Sequence, residues 1–331
     1  MNKRYFLATH TDLDGIGCAV LAYLAFGQEN VDVEFCDYKD VDEKVEKVIE
    51  SELFFRRYDK IFITDISVCE KVATMIDNEA KELDIMLLDH HATAEWLNKY
   101  DWAKVKVISK STGIKTSGTK LFYQHVLLED RFDKFNDRVL YNIRNFAQTI
   151  CDYDTWRWKE ELAPEEGLVC KQLNDLFGIY GRDKFIEWAL YNVLELDQVP
   201  YFLEKDRALL EQKQKDIDIY VETKNKQLTG FQDNFGYTCG VVFAEKYFSE
   251  LGNRLSELHP ELDYIAMIDI ARGTVSYRTI RDDINLGGEI AHSFGGGGHR
   301  KAAGSTFDGA AIRGLVLGEL FPLDTLKSSE V

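Results

Sequence analysis

Three short strings carry the side chains best suited to chemistry. His10-Thr11-Asp12-Leu13-Asp14-Gly15 alternates imidazole and carboxylate groups. A lone Asp65 follows one apolar run, and Asp89-His90-His91 follows another. Mixed carboxylate and imidazole donors suit Mn²⁺, Fe²⁺, Co²⁺ or Zn²⁺, and no thiolate site is indicated. In an extended segment, His10, Asp12 and Asp14 would share one side, and Gly15 lets the chain turn into a helix. An EF-hand loop is excluded: it needs an acidic ligand at its twelfth position, and counting from His10 that residue is Leu21. Alone, each string is also compatible with a solvated loop or a helix cap. Together they hold three or more carboxylates and two imidazoles, too many for one ion. A two-metal site fits better, with ions ~3.5–4 Å apart sharing a bridging carboxylate.

A fourth string, G-G-G-G-H-R-K-A-A-G, runs from Gly295 to Gly304. It lacks the Gly-Lys-Ser/Thr of a Walker loop and the third glycine of a dinucleotide fingerprint. Consecutive glycines allow backbone N–H groups to converge on an anion. Gly296, Gly297 and Gly298 would supply amides, and His299 and Arg300 further donors. Arg278 and Arg281, at the end of an extended run, add bidentate phosphate contacts. A flexible hairpin loop is the other reading. Thr116-Ser117-Gly118-Thr119 opens a helix whose N-terminus either binds phosphate or is simply capped.

These groups need elements to position them. Extended runs are expected over Arg4 to Thr9, Val31 to Cys36, Lys60 to Thr64, Ile85 to Leu88 and Lys104 to Ser109. Helices are expected over Gly15 to Phe26, Val41 to Arg57 and Ser67 to Leu83, the last capped by Ser67. This alternation implies a parallel sheet covered by helices. In such a sheet, ligands bind beyond the carboxyl ends of the strands, which is where the first three strings fall. Helical pattern continues over Phe132 to Ala163 and Asp183 to Leu196, and Pro200 breaks it. Tyr201 to Gln227 reads as a connector helix with few apolar anchors. Strands over Tyr237 to Phe243, Tyr264 to Asp269 and Thr274 to Arg278 follow, then the glycine string and a final helix. The fold class is therefore α/β: a parallel-sheet N-terminal domain (1–195), a helical connector (196–227) and a smaller α/β C-terminal domain (228–331).

A length of 331 residues suits two domains. The longest nearly uncharged apolar stretch, Ile16 to Phe26, is too short for a bilayer, which takes ~20 residues, and no export signal is readable. Six cysteines are scattered without a C-x-x-C pair, so reduced thiols in a cytoplasmic protein are expected. The net charge of −17 disfavours a long nucleic-acid track over the surface but allows a small anion in a local pocket. A homodimer is compatible with the sequence, which carries no signal for or against one.

H-T-D-L-D-G, the Asp65 strand end, L-L-D-H-H and G-G-G-G-H-R-K-A-A-G, in this order, resemble the DHH phosphoesterase superfamily joined to its C-terminal DHH-associated domain. The resemblance spans nearly the whole chain. His-x-Asp-x-Asp-Gly and Tyr153-Asp154-Thr155-Trp156 look most like the family's NrnB-type oligoribonucleases. It implies a hydrolase that cleaves short oligoribonucleotides or small nucleotides with two divalent ions, Mn²⁺ or a similar metal, by in-line attack of a hydroxide between them. His10 and Asp12 would hold one ion; Asp14, His90 and Asp154 the other; Asp65 would bridge. His91 would act on the scissile phosphate. Arg278, His299, Arg300 and the glycine string would hold substrate from the second domain. Asp152 competes with Asp154, which is preferred because Thr155 follows it as in the family's Asp-Thr pattern. The family's single-strand exonucleases carry additional modules, for which this chain is too short and too acidic. Its pyrophosphatases have a different second domain. A 3′-phosphoadenosine 5′-phosphate phosphatase, a cyclic (di)nucleotide phosphodiesterase and a non-catalytic nucleotide sensor are the alternatives.

Overall fold

Five short apolar runs form one parallel sheet. They are β1 (Tyr5–His10), β2 (Val31–Cys36), β3 (Lys60–Thr64), β4 (Ile85–Asp89) and β5 (Ala103–Val105), and the spatial order is β2-β1-β3-β4-β5. The computed structural model describes residues 4–50, 57–79, 84–110 and 112–307. β1 and β3, buried almost throughout, are covered on both faces, as parallel strands require. On one face, α2 (Val41–Glu50) and α3 (Glu70–Glu79) pack Val41, Val45, Val72 and Ile76 into a core with Ile61, Ile63 and Leu87.

The other face carries α1 (Leu13–Phe26), α4 (Gly118–Leu128), α5 (Asp137–Asp154), the short α6 (Arg157–Glu160), α7 (Pro164–Tyr180) and α8 (Arg182–Glu195). α1 is apolar all round, as a fully enclosed helix must be, because it touches α4, α5 and α8 besides the sheet. α5 presents Val139, Ile143, Phe146, Ala147 and Ile150 to the same core, the spacing of one helical face. Its last residue is Asp154.

The chain divides into two compact units, 1–210 and 211–331. The division falls inside α9 (Glu204–Asn225), not at the ends of the expected connector. This helix is better anchored than its charged sequence suggests, with Leu210 buried in the first unit's core and Ile217 and Val221 in the second's. The second unit is a mixed sheet, β10-β11-β9-β8-β7-β6, made of β6 (Thr229–Gln232), β7 (Thr238–Phe243), β8 (Tyr264–Asp269), β9 (Thr274–Arg278), β10 (Gly297–Gly298) and β11 (Ala302–Thr306). β7 and β8 are parallel, joined through α10 (Phe248–Leu258). No helix among the described residues is long and apolar enough to cross a membrane.

Several expectations need correction. Ser67 does not cap a helix; α3 begins at Glu70, and the Ser67 hydroxyl donates to Asp89 Oδ2. Pro164 opens a helix that the sequence reading ended at Ala163, because proline at the first helical position loses no hydrogen bond. The strand expected over Lys104 to Ser109 stops at Val105, with only a bridge from Ile108 to Lys115 beyond. Residues 51–56 and 80–83 of the helices expected to reach Arg57 and Leu83, and the final helix, lie outside the described residues; Arg57 itself is in a turn.

Candidate metal centre

The sheet order reverses direction between β1 and β3, the switch point where α/β sheets bind ligands. β1 ends at His10. Asp12 then caps α1, its Oδ1 accepting the amides of Asp14 and Gly15, both at 3.1 Å. A β-carbon on Gly15 would lie 2.1 Å from the His10 carbonyl oxygen, so only glycine lets the strand turn this tightly into the helix. His10, Asp12 and Asp14 therefore converge through a turn and the first turn of α1, not by alternation along an extended segment.

Asp14 is buried and held from a distant element. Gly118 N donates to its Oδ2 at 2.6 Å and Thr119 N to its Oδ1 at 2.9 Å. The N-terminus of α4, one of whose readings was a phosphate site, thus receives a protein carboxylate, which the helix dipole favours. Ser117 caps the same turn by accepting Lys120 N. Beneath it, Thr119 donates to the Asp14 carbonyl, Thr9 to the Gly15 carbonyl and Thr64 to Thr9.

Asp65 follows β3 with φ +58°, an uncommon conformation for a residue with a β-carbon, and its side chain is 1% exposed. Its Oδ1 lies 3.2 Å from His90 Nε2 and its Oδ2 3.9 Å from His10 Nδ1. One carboxylate thus turns one oxygen toward each of two groups. The first is His10, Asp12 and Asp65; the second is Asp14, His90 and Asp154; a third set of neighbouring donors joins Asp65 to Asp89, His90 and His91. His90 Nε2 is 3.7 Å from Asp14 Oδ2 and 3.5 Å from Asp154 Oδ2. Asp152 points elsewhere: its Oδ1 accepts from Gln148 at 2.9 Å and pairs with Arg157.

Close packing at Asp65 makes a test of the architecture. A β-carbon on Gly118 would lie 2.4 Å from the Asp65 β-carbon, a backbone-level clash. Gly118→Ala should cost about 1–3 kcal/mol, the usual penalty of overpacking, read as a lower urea midpoint. An unchanged midpoint would contradict this close approach.

The electrostatics of the two groups are those of a cation site. Burial first, then the charges of Asp14 and Asp12, push Asp65 well above the usual carboxylate range. The same causes raise Asp154 to about 8. Asp65 Oδ2, His10 Nδ1 and His90 Nε2 are buried without a hydrogen-bond partner; Asp12 Oδ2 is 2.9 Å from His10 Nδ1 but not aligned for a bond. Leaving each such atom unsatisfied costs ~1–3 kcal/mol, and divalent cations would satisfy all three while relieving the carboxylate repulsion. The nitrogen and oxygen donor set fits such ions.

Asp89 holds the two histidines that follow it. Buried at the end of β4, its Oδ1 accepts the His90 amide at 2.7 Å and the His91 amide at 3.3 Å, and lies 2.7 Å from His91 Nδ1. A carboxylate accepts, so His91 Nδ1 donates and Nε2 is left free of Asp89. The Asp89 hydrogen bond raises the His91 pKa against the opposing effect of burial.

Residues 4–149 match the DHH family, N-terminal domain. Over 325 residues the chain is 34% identical to the oligoribonuclease NrnB of Bacillus subtilis (strain 168), covering 98% of this chain and 77% of that protein. The chain belongs to the DHH family. Its fold is similar to the DHH domain of PF0399, a member of the s1p family of ribosomal proteins (TM-score 0.61, 13% identity, 98% of this chain and 87% of that one). It is also similar to RecJ of Thermus thermophilus in complex with Mn²⁺ (TM-score 0.54, 14% identity, 97% of this chain and 53% of that one).

In the second unit of this DHH chain, the glycine string forms a hairpin: Gly297 and Gly298 pair with Gly304 and Ala303. The amides of Gly295, Gly296 and His299 donate to the carbonyls of His292, Ala291 and Ala302. These three are therefore taken up by the fold and cannot converge on an anion as expected. Gly297, Gly298, His299 and Arg300 are exposed, and Arg300 Nη1 donates to the Asp282 carbonyl at 2.9 Å. Arg281 is engaged by Asp263 and Asp283, which removes it as a phosphate ligand. Arg278 is half-buried, donates to the Tyr277 carbonyl and to Ser249 Oγ, and has no carboxylate partner among the described residues. Its Nε is buried without a hydrogen-bond partner.

Proposed function

We propose that this chain is a divalent-metal-dependent phosphodiesterase that hydrolyses short oligoribonucleotides or small nucleotides. The observation that carries the reading is Asp65, a buried carboxylate with one oxygen turned toward each of two His/Asp groups. Similarity to an oligoribonuclease over nearly the whole chain supports the substrate class. His10 and Asp12 would hold one ion, Asp14, His90 and Asp154 a second, and Asp65 both; Mn²⁺ is the ion we assign. When bound, two such ions supply Lewis acidity that lowers the pKa of the attacking water and neutralises phosphate charge.

The chain's own residues do the rest. The α4 amides fix Asp14, and the tight turn at Gly15 fixes Asp12, so the donors are preorganised before substrate arrives. Asp89 accepts from His91 Nδ1, which leaves Nε2 as the atom that carries a proton toward the leaving oxygen. Arg278, with an unsatisfied Nε, binds a substrate phosphate, aided by the exposed side chains of His299 and Arg300.

Hydrolysis of two- to five-nucleotide RNA, cyclic dinucleotide, 3′-phosphoadenosine 5′-phosphate and pyrophosphate, each with Mn²⁺, tests the substrate class. Short RNA should be the preferred substrate, and preference for pyrophosphate would overturn the reading. His91→Ala should keep both ions yet lose roughly 10²–10⁴ in kcat, the range for a lost general acid. Loss of an ion in that variant, measured by metal analysis, would show His91 to be a ligand instead.

A further inference from the structure

Tyr38 stands at the mouth of the metal centre and is used by nothing described above. It sits in the turn between β2 and α2, fixed where Asp37 N donates to Asp40 Oδ1 at 2.7 Å and the amides of Asp40 and Val41 donate to the Asp37 carbonyl. Its ring centroid lies 5.0 Å from that of His10, tilted at 47°, and 6.2 Å from that of His91, edge-on at 87°. Its hydroxyl is 3.4 Å from His91 Nε2. The side chain is nonetheless 59% exposed. A large ring is thus held against two imidazoles of the centre on one side and offers a bare face to solvent on the other.

We infer that Tyr38 is a specificity-determining residue whose exposed ring stacks on the base of the nucleotide bound at the centre. This rests on the phosphodiesterase reading. The imidazoles and carboxylates take the phosphate, and the base, one sugar away, needs a flat uncharged partner beside them. Every base has a π face, so such a platform favours nucleotides over base-free phosphates without selecting a sequence. The weak contact between the hydroxyl and His91 Nε2 is given up when a phosphate oxygen takes that nitrogen, so the ring and not the phenol oxygen carries the preference.

The test is equilibrium binding of adenosine 5′-monophosphate and of ribose 5-phosphate to the Mn²⁺-loaded full chain by calorimetry, with metal content measured for each variant. Tyr38→Ala should weaken nucleotide binding by about 5- to 150-fold, the effect of removing one base–aromatic stack, and leave ribose 5-phosphate binding unchanged. Tyr38→Phe should bind both as the wild type does. Equal nucleotide affinity in Tyr38→Ala and wild type overturns the inference. So does an equal loss for both ligands, which would mark the ring as structural. Wild-type cleavage of a dinucleotide, assayed alongside, separates the two readings: without cleavage the phosphodiesterase reading falls, and this one with it.

Discussion

Asp65→Ala should strip both divalent ions from the protein. The two oxygens of Asp65 face the two groups, 3.2 Å from His90 Nε2 and 3.9 Å from His10 Nδ1. Removing Asp65 would take a donor from each of the two proposed ions at once, and also the charge that would screen them from each other. Asp12 and His10, with Asp12 half-exposed, are too few to hold the first ion alone. The loss of activity should exceed the ~100-fold that removal of an outer-sphere partner costs. The fold should survive, because the substitution relieves a buried carboxyl crowded by Asp14 and Asp12. Metal analysis after exchange into Mn²⁺ reads the result. Two ions per wild-type chain and near zero in the variant support a bridging role, whereas a single tight ion unaffected by the substitution refutes it.

Two aspartates near the end of α5 should separate cleanly in function. Residues two apart on a helix point about 200° apart, so Asp152 and Asp154 cannot serve one site. Asp154 Oδ2 is 3.5 Å from His90 Nε2, while Asp152 holds Arg157 and Gln148. Asp154→Asn should abolish hydrolysis while leaving the urea midpoint close to that of the wild type. Asp152→Asn should remain active and lose about 1.5–3 kcal/mol, the range for a hydrogen bond to a charged group. Steady-state hydrolysis of a dinucleotide and urea denaturation of both variants decide it. An inactive Asp152→Asn with an active Asp154→Asn would reverse the assignment.

The contrast between these positions shows what a sequence can carry. His10, Asp12, Asp65 and Asp89-His90-His91 were legible because each directly follows a short apolar strand, and a parallel sheet gathers strand ends on one edge. The hold on Asp14 was not legible. It depends on amides 104 and 105 residues away in sequence, and the string that supplies them reads equally well as a phosphate site or a plain cap. Asp89 looked like a neighbour of two histidines, and only the geometry turns it into the group that orients one of them. Tyr38 carried no signal, since an exposed tyrosine in a turn is ordinary until its neighbours in space are known. In the second unit, four glycines suggested converging amides, but those of Gly295 and Gly296 are taken by the carbonyls of His292 and Ala291, and Gly297 and Gly298 pair with Gly304 and Ala303. α9 hid its anchors among charges: Leu210, Ile217 and Val221 fall at helical spacing but are too sparse to stand out.

The central claim, a metal-dependent phosphodiesterase for short chains, is tested most directly by kcat/KM against RNA length at 50 and 200 mM salt with Mn²⁺. With a net charge of −17, only a few phosphates are expected to be held. For about two, the log–log salt slope is ~−1.4 for a single strand, less than a tenfold loss over this range. We predict the highest values at two to five nucleotides and that shallow salt dependence. Activity that climbs steadily to tens of nucleotides and collapses with salt would contradict the account.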